Sequence, residues 1–158
     1  MNKLPVLISM ASVICTANIA LAGEHGAHCL NIISGEMKNC RIIVSPRNNS
    51  LEMTFQSDKH QAANMTFRGN QITEVSTGEY AKKRGKETIG ASVVLGPLGA
   101  LVGAFHKEDR TQFAIEYVDT QNNKNVTMID IPTKHSEGLK LDLEILTGLE
   151  IIGSESEE

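Results

Sequence analysis

From Cys40 onward the apolar residues of this chain come in short bursts separated by turn-forming clusters, the spacing of an antiparallel β domain rather than of a helix bundle. Arg41 to Val44 reads as a strand stopped by Ser45-Pro46-Arg47-Asn48-Asn49. Leu51, Met53 and Phe55 alternate with Glu52, Thr54 and Gln56, which puts one face in a core and the other in water. Ala63, Met65 and Phe67 lead into Arg68-Gly69-Asn70-Gln71, a hairpin signal, and then Ile72 and Val75. The clearest hairpin follows: Thr111 to Val118 alternates through Phe113, Ile115 and Tyr117, the chain turns over Asp119 to Lys124, and Val126, Met128 and Ile129 to Ile131 form the return strand.

Past Pro132 two periods compete. Leu139, Leu141, Leu143 and Ile145 alternate as a strand would, yet Leu139, Leu143 and Leu146 share one helix face, with Ser136 as N-cap and Gly148 as stop. Leu, Lys and Glu dominate and no β-branched residue comes before Ile145, so propensity predicts a helix. The expected fold is therefore mainly β with one C-terminal helix, a small antiparallel β barrel or roll spanning 23–148. An acidic tail follows at 149–158.

The N-terminal 1–22 predicts a removable signal peptide. Lys3 gives it a positive end, Leu4 to Leu21 is uncharged, and Ala20-Leu21-Ala22 is a small-x-small cleavage site. A retained anchor fits less well, because Pro5, Ser9, Ser12, Thr16 and Asn18 dilute the apolar stretch; Ile14 before Cys15 spoils a lipobox. The formal net charge is −4, one unit more negative once Lys3 leaves. That balance, with no Trp and only four Phe and two Tyr, argues against a nucleic-acid binder, which needs a basic face and stacking platforms.

Cleavage also removes Cys15 and leaves Cys29 and Cys40 bound for an oxidising compartment such as a bacterial periplasm or cell envelope, where one pairing is open to them. The chain-entropy argument gives roughly 2.5 to 3 kcal/mol for a loop this short. Cleavage after Ala22 would expose Gly23-Glu24-His25. A free amine, two deprotonated amides and the His25 imidazole make a square-planar nitrogen set suited to Cu(II) or Ni(II), against the plainer reading of a free end with an incidental histidine.

Ile89 to Phe105 is the most unusual stretch, 17 residues without a charge, carrying Gly90, Gly96, Gly99 and Gly103 around Pro97. It is at the lower limit for a membrane span, about 17 to 25 residues, and Gly96-Pro97 would break it; it matches no phosphate-binding loop. A buried connector, reversible lipid contact and a span are the competing readings, and Gly99-x-x-x-Gly103 suits close packing, hence a homo-oligomer as well. Lys82, Lys83, Arg84 and Lys86 precede it. They are placed to hold an anionic head group while Leu98 or Leu101 enters the acyl boundary, unless the run is simply a solvated turn.

The order Gly78-Glu79-Tyr80, basic run, Leu95-Gly96-Pro97-Leu98-Gly99, Phe113-Ala114-Ile115-Glu116-Tyr117-Val118-Asp119, second strand and Leu-rich stretch ending Thr147-Gly148 resembles uncharacterised bacterial exported proteins with a pleckstrin-homology-like domain. The resemblance covers about 72–148. It implies a bent antiparallel barrel closed by the last helix, no catalytic residues, and lipid head groups or peptides as ligands. The residues themselves offer no Gly-x-Ser-x-Gly, no His-Glu-x-x-His and no cofactor motif. The expected function is a non-enzymatic exported domain that contacts a partner protein or membrane surface. A structural or stress-related envelope protein self-associating through the glycine-rich segment is the alternative, with an enzyme behind both.

Overall fold

Two antiparallel meanders joined at their middle make up the sheet. The computed structural model describes residues 22–78, 80, 81, 83 and 109–153. Residues 1–21 of the expected signal, Lys82, Arg84, Lys86, the Ile89–Phe105 segment with Leu98 and Leu101, and Ser154–Glu158 lie outside the described residues. The first meander holds β1 (Gly23–Asn31), β2 (Glu36–Ser45), β3 (Ser50–Phe55) and β4 (Met65–Arg68); the second holds β5 (Ile72–Thr77), β6 (Arg110–Val118) and β7 (Lys124–Pro132). Their order is β4-β3-β2-β1-β7-β6-β5, and the seam between meanders is short, His28 opposite Asp130 and Cys29 opposite Ile129.

The alternation expected for β3 and β6 is the alternation observed. Leu51, Met53 and Phe55 face the core, as do Phe113 and Ile115, and the β6–β7 register runs from Arg110 opposite Pro132 to Val118 opposite Lys124. In β7 the inward residues are Thr127, Ile129 and Ile131, so Val126 and Met128 fall on the other face.

The sheet is rolled but not closed, which corrects the expectation of a barrel. Strands β4 and β6 have four strands between them in the order, yet the Phe67 and Tyr117 rings meet at 4.5 Å, tilted by 58°. No register joins β4 to β5 among the described residues. The 3₁₀ turn Gly69–Gln71 separates them, with the Arg68 backbone N–H donating to Gln71 Oε1 at 2.8 Å. Chain from beyond the helix packs back onto β5 instead. Ile151 is in the core with Leu149 packed against it, and Ile152 bridges Ser76 in parallel, accepting from the Thr77 N–H (2.8 Å) and donating to the Val75 carbonyl (3.0 Å). This occupies the C-terminal end of the open edge of β5, where unpaired backbone would otherwise invite another chain. The packed fold therefore runs past Gly148.

The expected helix is present as α1 (Ser136–Thr147), with Leu139, Leu143 and Leu146 buried. Gly148 ends it in the left-handed region (φ 68°), its N–H donating to the Glu144 carbonyl at 2.8 Å. Ser136 is not the cap. The 3₁₀ turn Thr133–His135 feeds straight into the helix, so Ser136 is already helical and its hydroxyl donates back to the Thr133 carbonyl at 2.7 Å. Helix α1 crosses β1 closely: a Cβ on Gly23 would overlap the Asp142 carboxylate, and Gly138 sits against the His25 ring. Its far end rests on the β4–β5 link, where the Leu146 carbonyl comes within 2.6 Å of any Cβ placed on Gly69.

Candidate functional site

The β1–β2 hairpin is paired along the whole of β1. Its register continues out to Asn31 opposite Glu36, whereas β7 leaves β1 at Cys29 and β3 joins β2 only from Cys40. Beyond those two cysteines the hairpin is flanked by the chain that follows β3: the Gln56 N–H donates to the Asn39 carbonyl at 3.1 Å, and Leu30, Asn31 and Gly35 are buried. Cys29 and Cys40 are bonded at its root, with Cα atoms 5.7 Å apart. They form a diagonal pair, Cys29 opposite Lys38 and Cys40 opposite Ala27, and neither is exposed. The bond is compatible with an oxidising, exported setting.

The tip is held by one side chain. Asn31, 2% exposed, accepts from the backbone N–H groups of Ile33 (2.9 Å) and Ser34 (3.0 Å) through Oδ1, while its own carbonyl accepts from the Gly35 N–H at 2.7 Å. Gly35 adopts φ 70°, the left-handed conformation that returns the chain into β2. Two N–H donors on Oδ1 fix which way the Asn31 amide faces, so Nδ2 donates to Nδ1 of His60 at 3.2 Å. His60 therefore carries its proton on Nε2; its ring stands edge-on to Phe55. At the base of the tip Glu36 and Lys38 pair at 2.6 Å, and the bond and charge of Lys38 hold the Glu36 carboxyl below its ordinary range.

What this loop shows to solvent is apolar. Ile32 is 51% and Ile33 69% exposed, between a buried Asn31 and a buried Gly35. A second exposed pair, Leu141 (57%) and Ile145 (52%), lies one turn apart on the outer side of α1. Sequence reasoning missed both pairs. Ile32-Ile33 had a signal, two isoleucines set between Asn31 and Ser34-Gly35, which is turn chemistry around residues that turns seldom carry.

The basic bracket is represented by Lys83, which is exposed; its companions Lys82, Arg84 and Lys86, with Leu98 and Leu101, fall outside the described residues. His25 is brought to a carboxylate: its Nε2 lies 2.7 Å from Asp142 Oδ2, tying β1 to α1. Gly23, Glu24 and His25 are in ladder register with Val44, Ile43 and Ile42, so wrapping their amides around Cu(II) or Ni(II) would require this end of β1 to peel off β2. No group of three metal-binding side chains is found among the described residues.

A buried acid lies at the seam. Asp130, 4% exposed, accepts from Arg110 Nε at 2.9 Å, and Arg110 Nη2 donates to the Asp130 carbonyl at 2.7 Å. His28 Nδ1 stands 3.9 Å from the other carboxylate oxygen. The Arg110–Asp130 pair braces β6 against β7. Asp119 braces the β6–β7 turn in the same way. Bonds from Asn123, then from Gln121 and Asn125, hold its carboxyl below the ordinary aspartate range. Comparison with protein-family models and with curated proteins finds no match.

Proposed function

We propose that the chain is an exported, non-enzymatic binding domain of a bacterial envelope that contacts a membrane surface or a partner protein through apolar side chains presented on a rigid frame. The observation that carries this reading is the turn of the β1–β2 hairpin, fixed by Asn31 and cross-linked below by Cys29–Cys40, which leaves Ile32 and Ile33 exposed. Large side chains left in water at a loop that the fold has taken care to fix are the mark of a contact surface rather than of packing. Four strands, then three, then a helix across one side support a pleckstrin-homology-like ancestry, the two meanders wrapping without a closing ladder.

Self-association is the second reading, favoured by Leu141 and Ile145 on the outer side of α1. Sedimentation velocity of the oxidised protein, run beside vesicle flotation, separates the two. A monomer that floats with vesicles supports membrane contact; a concentration-dependent dimer that stays at the bottom supports self-association. A monomer that does not float leaves the partner protein as the contact.

A further inference from the structure

We infer that His60 is a pH-sensitive latch on the β1–β2 turn: as the neutral ring it accepts from Asn31 and holds the turn, and as the imidazolium it lets go. This goes beyond the proposed function, because it concerns how the turn is held and not what the turn touches.

The latch is a chain of bonds in which each dictates the next. Asn31 is 2% exposed, so water cannot readily stand in for its partners. Its Oδ1 is filled by the N–H groups of Ile33 (2.9 Å) and Ser34 (3.0 Å), which turns Nδ2 toward His60 and makes Nδ1, 3.2 Å away, the acceptor. A ring nitrogen accepts only while it carries no proton, and an imidazolium carries N–H on both nitrogens. A second proton therefore sets donor against donor. Two escapes are open, and both undo the tie. Flipping the amide would offer Oδ1 to the imidazolium but leave the Ile33 and Ser34 N–H groups facing an NH₂. Swinging the ring away from the edge of Phe55 leaves Nδ2 a buried donor without an acceptor, the costly outcome for such a group. The Asp119 turn has no such dependence, because its carboxylate only accepts.

The charged groups around His60 among the described residues come in both signs. From β2, Glu36 lies within electrostatic reach of the ring and pairs with Lys38 at 2.6 Å. On the ring's own 3₁₀ turn, Asp58–Ala63, Asp58 accepts from Gln61 Nε2 at 2.9 Å and Lys59 is exposed. Strand β1 brings Asn31, β3 brings Phe55, and the turn from Ile32 to Gly35 carries no charge. The hydrogen bond then sets the direction. The tie is made at neutral pH and lost as pH falls through the range, about pH 5 to 8, where imidazoles ordinarily take up a proton. Release stays local, because the Cys29–Cys40 bond and the Gln56 N–H on the Asn39 carbonyl hold the strands below, and neither titrates there.

The test is amide exchange by NMR on the oxidised protein alone, at about pH 7.5 and about pH 5, on either side of the imidazole range. Each rate is expressed against that of the unstructured chain at the same pH. Protection of Ile33 and Ser34 should fall at least about fivefold at the lower pH, the worth of one hydrogen bond lost at a buried group. Gln121 and Asn123, held by the Asp119 carboxylate, should keep theirs. In His60→Ala the Ile33 and Ser34 values should be low and equal at both pH values. In Asn31→Asp the carboxylate accepts from the turn and from the imidazolium alike, so protection should not fall on acidification. His60 is only half-buried, so His60→Ala keeps the core and decides the matter where Asn31→Asp fails to fold. Equal protection at both pH values in the unaltered protein would overturn the latch. So would a fall that His60→Ala leaves in place, which would put the titrating group elsewhere. Exchange is read with no vesicle or partner present, so failure to bind either would refute the functional reading and leave this result standing.

Discussion

Opening the Cys29–Cys40 bond should cost this fold a calculable amount. The two residues are 11 apart in sequence, so the bond closes a loop of about 12 residues. The chain-entropy expression then removes about 9.5 cal/mol/K from the unfolded chain, or about 2.8 kcal/mol at 25 °C. Little else changes on reduction, since both sulfurs are fully buried on the inner face of β1 and β2 and the thiols occupy nearly the same volume. For a domain of this size the loss corresponds to roughly 8 to 14 °C in Tm. Urea unfolding of the oxidised and the reduced protein measures it directly, and burial adds a kinetic expectation: a reductant should act slowly on the native protein and quickly in denaturant. Equal unfolding midpoints for the two forms, or thiols that react at once in the native oxidised preparation, would refute the reasoning.

Ile115→Ala should destabilise the domain by about 2–5 kcal/mol, because Ile115 is fully buried in β6, while Lys124→Ala, at a side chain 73% exposed, should stay within about 0.5 kcal/mol; chemical denaturation reads both. Gly69→Ala should cost about 1–3 kcal/mol by the same assay, since the added methyl meets the backbone carbonyl that ends α1. Asp119 has its folded-state pKa lowered by the turn's donors, so the stability it contributes is present above the ordinary aspartate value and is lost as pH falls through and below it. Asp119→Ala should lower stability at neutral pH and flatten the acid limb of a stability–pH curve, and an acid limb unchanged in slope would count against the turn network.

The parts of the fold that were legible in sequence are those where one face of an element is large and apolar and the other is wet. Strands β3 and β6 and the Leu139–Leu143–Leu146 face of α1 satisfy that condition, and the Asp119 to Lys124 turn announces itself by composition. Strand β1 does not. Its inward residues are Gly23, His25, Ala27 and Cys29, small or polar because α1 lies directly over them, so the strand carries no alternation of bulk. The same crowding explains Gly138 opposite His25, a glycine inside a helix that propensity alone would disfavour. The return of the chain after the helix was illegible for another reason: Leu149, Ile151 and Ile152 lie beyond the glycine that ends the helix and among residues that composition assigns to a tail. The pairing of the cysteines followed from compartment and count. Their diagonal placement across β1 and β2 is a matter of register, which no local pattern encodes.

What Ile33 meets when the protein is bound tests the proposed surface contact most directly. The chain contains no tryptophan, so Ile33→Trp places a single, still apolar reporter at the tip. With phosphatidylcholine vesicles added to saturation, its emission should shift to shorter wavelength and be quenched by lipids brominated on their acyl chains if the contact is with a membrane. Emission that stays at the wavelength of a water-exposed indole, unquenched by those lipids while the protein floats with the vesicles, would contradict it.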